Sequence, residues 1–293
     1  MHPDLQKKYP QIRSYAGEGI EDQTAYLRCG FSQKGFHAMV LSGKHSSVFV
    51  DVYAKGTIES YISYYKKDFV RQDGAVMSCG LDAELASTAA PQLKTKKPQD
   101  ILSSNAETAS DCQLRTYRLA LACTGEYASF HGGNVPDVLA EFNVAMTRVN
   151  GVYETDAKIT MEMVPNTDQL IYLVASSDPY SNGNGGTMLG QNITTCNNVI
   201  GLNNYDIGHL FSITGGGLAG VGVPCSDIKA RAVSGLSNPT GYYFETIVLH
   251  EMGHQILRSG HYNKLHRWNL MTGAGSQPPR MNGLVMSAFE KSL

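Results

Sequence analysis

His250-Glu251-Met252-Gly253-His254 is followed along the chain by Gln255-Ile256-Leu257 and preceded by Tyr242-Tyr243-Phe244-Glu245-Thr246-Ile247-Val248-Leu249. On an α-helix, residues four apart stack on one face, so the two imidazoles of His250 and His254 point the same way with the Glu251 carboxylate beside them. Ile247, Val248, Met252 and Ile256 recur at helical spacing and can turn to a core while the histidines face a cleft. Asn238-Pro239-Thr240-Gly241 reads as the turn that precedes this helix. Two histidines and a glutamate so arranged are half of a zinc site: the ion takes nitrogen ligands, needs a third protein ligand, and keeps one position for a water whose proton a carboxylate can accept.

The third ligand separates the kinds of zinc enzyme. Between Met252 and Phe289 the chain has neither Asp nor Glu, and only Glu290 remains near the end, so a downstream carboxylate is poorly supplied. His261 and His266 lie close downstream. His261 is the first choice and His266 the second. Gly260, directly before His261, can supply the positive-φ turn that lets the chain leave the helix and double back.

These residues resemble the metzincin signature, HExxHxxGxxH followed by a methionine-containing turn. Asn269-Leu270-Met271-Thr272 is similar to that turn, and Met281 to Leu293 has the length and apolar content of the family's closing helix. The extended signature is not matched literally, because Leu257 and Gly260 stand where the family has its glycine and third histidine. Upstream, Gly217-Leu218-Ala219-Gly220-Val221-Gly222-Val223-Pro224-Cys225 is similar to the GLA-x-VG-x-x-C stretch of the reprolysin (adamalysin)-like branch. The resemblance implies a zinc endopeptidase: Zn2+ held by His250, His254 and His261, Glu251 as general base, Met271 packed beneath the metal, and a polypeptide substrate. Leu218, Ala219, Gly220 and Val221 would line a cleft-rim strand that binds an extended peptide by β-augmentation.

Between Cys112 and Ile213 the pattern alternates. Arg115 to Cys123 reads as a half-buried strand with Tyr117, Leu119 and Leu121 on one side, and Val138, Leu139, Phe142, Ala145, Met146 and Val149 recur as in a helix. Ile159 to Val164 and Leu170 to Val174 are strand candidates, Ser176 to Gly186 a polar loop, Met188 to Ile200 a second helix, and Ile207 to Ile213 a strand leading into the rim. That order suits an α/β metzincin-like domain with a twisted mixed sheet and the active-site helix beneath.

The first hundred residues read differently. Ala25 to Phe31, Phe36 to Leu41, Ser47 to Tyr53 and Ser60 to Tyr65 are short Tyr- and Val-rich runs between turns, as in a small antiparallel sheet. The resemblance to bacterial reprolysin-like precursors implies a prodomain, giving residues 1–110 as prodomain with linker and 111–293 as the catalytic domain. Cys79-Gly80-Leu81-Asp82 is similar to the core of the metzincin cysteine switch, one residue shorter, in which a prodomain thiolate takes the fourth zinc position. Pro91 to Asp111, poor in large apolar residues and carrying Lys94, Lys96 and Lys97, reads as an exposed linker where a nick would release the prodomain.

Of the six cysteines, Cys112 and Cys123 cannot bridge if one strand carries both, and Cys196 with Cys225 is the more plausible pair. A net charge of −2 gives no electrostatic reason to expect nucleic acid or an anionic membrane. No apolar run approaches the roughly eighteen residues needed to span a bilayer. Nor does Met1-His2-Pro3-Asp4 open a signal peptide, so secretion is implied by the resemblance alone. A non-catalytic metzincin-like binding module is the rival reading, which zinc content discriminates; a metalloenzyme acting on other bonds is another.

Overall fold

The computed structural model describes residues 1–69, 113–214 and 216–256, and the backbone of 79–81. The proposed ligands His261 and His266, the Met271 turn, the closing helix and the whole Pro91 to Asp111 stretch with its lysines lie outside the described residues.

The 113–256 region is built round a sheet of six strands among the described residues, in the order β6-β10-β11-β9-β7-β8. These are β6 (Cys79–Leu81), β7 (Arg115–Cys123), β8 (Ile159–Met163), β9 (Ile207–Ser212), β10 (Gly217–Ala219) and β11 (Ala232–Gly235). β10 runs antiparallel to β11 and the other pairings are parallel. Both faces are covered, as parallel strands require. On β7, Leu119, Leu121 and Cys123 enter one core with Tyr127, Phe142, Val149, Phe211, Phe244, Val248 and Met252, while Ala120 and Ala122 enter another with Met188, Leu189, Cys196, Leu210 and Val233. The helices responsible are α3 (Val135–Asp156) and α5 (Gly241–Ile256) on the first face and α4 (Gly185–Val199) on the second. α3 starts where Asn134 accepts a hydrogen bond from the Asp137 amide and Pro136 occupies the first turn. A short α2 (Gly125–Phe130) follows β7, and α1 (Pro3–Lys8) opens the chain.

The N-terminal strands β1 (Arg13–Glu18), β2 (Tyr26–Ser32), β3 (Gly35–Leu41), β4 (Val48–Val52) and β5 (Tyr61–Tyr65) form an antiparallel meander in sequential order. Four of them fall on the four runs read from the sequence; β1, the three-residue β6 and the four-residue β11 are additional. The meander does not close a core of its own: its buried Met39, Leu41 and Phe49 cluster with Val152 of α3, and Tyr242 and Leu249 of α5 pack against them. Gly151 is what admits this approach, since a Cβ there would lie 2.6 Å from the Met39 methyl carbon. The helices α3 and α5 are therefore shared between the two sheets.

Two expectations are corrected. Leu170 to Val174 is not a strand: Thr167–Leu170 is a turn of 3-10 helix, and only Ile171 makes an isolated bridge, to Cys123. Cys196 and Cys225 are not joined. Cys196 is fully buried on the inner face of α4, its thiol directed to the Asn192 side-chain oxygen, whereas Cys225 is exposed after Pro224 with its amide bonded to the Asp206 carbonyl.

Candidate metal centre

α5 carries the site because its two faces have different partners. Phe244, Ile247, Val248 and Met252 are buried in the apolar core, with Phe244 edge-on to Phe211 at 5.1 Å. One turn later His250 and His254 face each other: their rings stand 4.5 Å apart at 88°, and the two Nε2 atoms are 2.8 Å apart. Both are buried. Burial brings His250 down to about 3, with the neighbouring His254 adding to the effect, and burial alone brings His254 to about 4, so both rings are neutral with nitrogen lone pairs at neutral pH. The Glu251 carboxylate lies on the same side, Oε1 4.0 Å from the His250 Nε2, and is fully buried.

Whether such a pair suits zinc is a matter of distance. Two nitrogens at 2.0–2.1 Å from one tetrahedral ion are about 3.3 Å apart. The imidazoles need to separate by only about half an ångström, a change that rotamer adjustment supplies. Among the described residues there is no group of three His, Cys, Asp or Glu that could hold a metal, so a complete centre needs a donor from outside them. The donor set, two neutral imidazoles plus one more, fits zinc.

The segment from Gly217 to Cys225 lies against this helix. Only Gly217–Ala219 is strand; Gly220 to Val223 is the turn that returns over the end of α5. There the Gly222 amide donates to the His254 carbonyl and the Val223 amide to the Gln255 carbonyl, each at 3.0 Å, satisfying two of the four carbonyls that a helix leaves open at its C-terminus. Gly222 has φ +65°, which glycine adopts freely. Gly217 answers a different need. A Cβ placed on it would lie 1.9 Å from Glu251 Oε1, so the strand backbone can pass over the carboxylate only because that side chain is missing. Of the expected rim residues, Ala219 is buried in the sheet, while Leu218 leans on the α4 core.

Three supporting groups escaped the sequence reading. His209, on fully buried β9, donates from Nδ1 to the Gln255 side-chain oxygen and accepts at Nε2 from the Ser234 hydroxyl, both at 2.9 Å; this tautomer is assigned from the network. Burial holds His209 at about 4. Gln255 in turn donates to the Gly208 carbonyl at 2.8 Å, so the residue after His254 is bolted to β9. The Tyr153 hydroxyl donates to the Leu249 carbonyl at 2.6 Å, and Arg148 of α3 grips Glu245 in the first turns of α5. A histidine inside the apolar Ile207 to Ser212 run, and an arginine among the apolar positions of α3, are the sequence signals that could have drawn notice.

Cys79 falls at a telling register. β6 pairs in parallel with the outer edge of β10, Cys79 opposite Gly217 and Leu81 opposite Ala219, so the backbone of Cys79 stands beside the glycine that overlies Glu251.

With this geometry in place, the comparison with known families is informative. Residues 139–262 match the family model for metallo-peptidase family M12B, reprolysin-like. The matched segment runs from within α3 through α5 to the residue after His261. Over that segment, less than half of the chain, the protein is similar to reprolysin-like metallopeptidases, in line with a metallopeptidase in general class. No curated protein matches the chain. Among the described residues no helix is long and apolar enough to cross a membrane.

Proposed function

We propose that the protein is a zinc-dependent endopeptidase made as a latent precursor, with Glu251 as general base. The observation that carries this reading is the pair of neutral, buried imidazoles with Nε2 atoms 2.8 Å apart, beside Glu251, over which Gly217 of β10 passes. His250 and His254 hold the metal through Nε2, and His261, at the end of the matched segment, is the third ligand, with His266 as the second choice. Met271 packs beneath. Bound zinc supplies Lewis acidity towards a water and the substrate carbonyl. Glu251 takes the proton of the attacking water and passes it to the leaving amine nitrogen, a role that its place beside His250 favours. The outer edge of β10, at Leu218 and Ala219, aligns an extended polypeptide by backbone hydrogen bonds, and Gly220 and Val221 in the following turn border it.

The same edge bears on latency. A strand already lying along β10 excludes a substrate strand, and the register of β6 supports Cys79 as the thiolate that takes the open metal position in the precursor. Residues 111–293 then carry the catalytic residues, residues 1–110 supply the strand that keeps the precursor latent, and export of the protein follows from the family resemblance.

The test is digestion of a quenched-fluorescence peptide library by the activated protein. Wild type is expected to cleave internal peptide bonds, while Glu251→Gln keeps its metal and cleaves at least a thousandfold more slowly. Undiminished cleavage by that variant would remove Glu251 from the mechanism.

A further inference from the structure

We propose that the N-terminal meander is a permanent half of the active fold: cutting the chain between the two sheets leaves residues 1–69 bound without a covalent link, and only the β6 segment is built to leave. The retention does not require the protein to be a peptidase; only its consequence for activation rests on the proposed function.

The first ground is a shared interior. Leu5 and Ile12 are fully buried in the same core as Leu119, Leu121, Val149 and Met163, and the amide of His2 donates to the Met163 carbonyl at 3.0 Å, at the end of β8. Met39 and Phe49 of the meander are buried in a cluster with Val152, and Leu249 of the active-site helix packs against it. Releasing the meander would expose both sides of these contacts to water, which is unfavourable in proportion to the apolar area uncovered.

The second ground is a charge that belongs to both halves. The Arg148 side chain is 2 % exposed, donating to Glu245 Oε1 at 2.7 Å on α5 and to Asp51 Oδ1 at 2.5 Å on β4, with the Phe49 ring 5.2 Å from its guanidinium carbon. The Tyr64 hydroxyl donates to the other oxygen of Asp51 at 2.8 Å. A buried guanidinium is tolerable only while paired, and here half of its pairing comes from the meander. Glu245 precedes His250 by five residues, so the same bridge fixes the first turns of the active-site helix. At the rim, Lys34 bonds Glu141 at 2.9 Å, and Gln33 bonds Asp137 at 3.0 Å.

β6 lies along the edge of β10 that a substrate strand would take, paired there by a three-residue ladder. A single cut after Leu81 leaves that strand tethered to the anchored meander at high effective concentration, so latency persists; a second cut between Phe69 and Cys79 lets it diffuse away. Activation therefore takes two cuts and discards a middle segment, not the N-terminus.

The experiment uses the full chain with a specific protease site inserted between residues 81 and 113, alone or with a second site between 69 and 79. After single or double cleavage at micromolar concentration, the N-terminal piece is expected to co-elute with the catalytic piece on native size exclusion and to part from it only in denaturant. Peptide hydrolysis is expected to stay low after one cut and rise at least tenfold after two. Separation of the N-terminal piece in native buffer overturns the proposal. Co-elution with no hydrolysis at either stage upholds retention and counts against the peptidase reading instead. In Asp51→Asn, the singly cut pieces are expected to separate at a protein concentration at least tenfold higher than wild type; Phe49→Ala provides the same readout through the apolar contact, and no change in either variant refutes the interface.

Discussion

Adding one carbon to Gly217 separates an active-site role for the rim strand from a merely architectural one. In Gly217→Ala the new Cβ would lie 1.9 Å from Glu251 Oε1, 2.4 Å from Cδ and 2.7 Å from Cγ, where ordinary contact begins at 3.4 Å. The carboxylate oxygen must retreat by about 1.5 Å, or the strand must lift, and Glu251 is fully buried with little room to turn. Misplacing a catalytic group by about 1 Å costs on the order of a hundredfold in rate. Overpacking of this kind destabilises by about 1–3 kcal/mol, too little to unfold a domain of ordinary stability. The activated variant should therefore keep its fold and its metal, since His250 and His254 are not touched, while kcat falls about a hundredfold and KM changes by less than threefold. Steady-state kinetics on a single peptide, with circular dichroism and metal content as controls, make the comparison. A folded, metal-loaded variant with kcat within twofold of wild type would refute the claim that β10 sets the position of the base.

Three other substitutions probe the supports. Glu141 is pushed up by burial, but the hydrogen bond and charge of His131 and the Lys34 ammonium outweigh this and hold it at about 2 against an ordinary 4.5. Its contribution, up to about 3 kcal/mol, is thus present above pH 4.5 and lost as pH falls from 4.5 towards 2. Glu141→Gln should lower the melting temperature at pH 7 and flatten its fall across that window, and parallel wild-type and variant melting curves against pH would contradict it. Gln255→Ala leaves the Gly208 carbonyl and the His209 ring without their partner, which should cost about 2–4 kcal/mol and loosen the last turn of α5; chemical denaturation with an unshifted midpoint would show the anchor to be dispensable. Cys79→Ser should give the uncut chain a low but measurable peptide hydrolysis, since β6 still covers the β10 edge, and a variant as silent as the uncut wild type would remove the thiol from latency.

The sequence was most legible where one periodicity served one purpose. Leu119 and Leu121 alternate with Ala120 and Ala122 on β7, and Ile247, Val248 and Met252 mark the inner face of α5, so these elements and the two histidines could be read directly. Legibility failed where the cause is tertiary. Gly217 looks like any loop glycine until Glu251 is seen beneath it. Arg148 sits among Ala145, Val149 and Val152 on α3, and nothing local says that its partners come from β4 and α5, 97 residues away on either side. The Cys196 and Cys225 pairing failed because one thiol faces the core and the other solvent, a difference of orientation that spacing cannot encode. The N-terminal strands could be read one by one, but not the dependence of their core on α3 and α5.

The metal itself gives the most direct test. Zinc measured by atomic absorption on the purified full-length protein should be about one ion per chain, kept in Glu251→Gln and lost in His250→Ala, His254→Ala and His261→Ala. Retention in His261→Ala with loss in His266→Ala would move the third ligand to His266. A wild-type chain that binds no zinc when supplied with a stoichiometric amount would contradict the proposed centre outright.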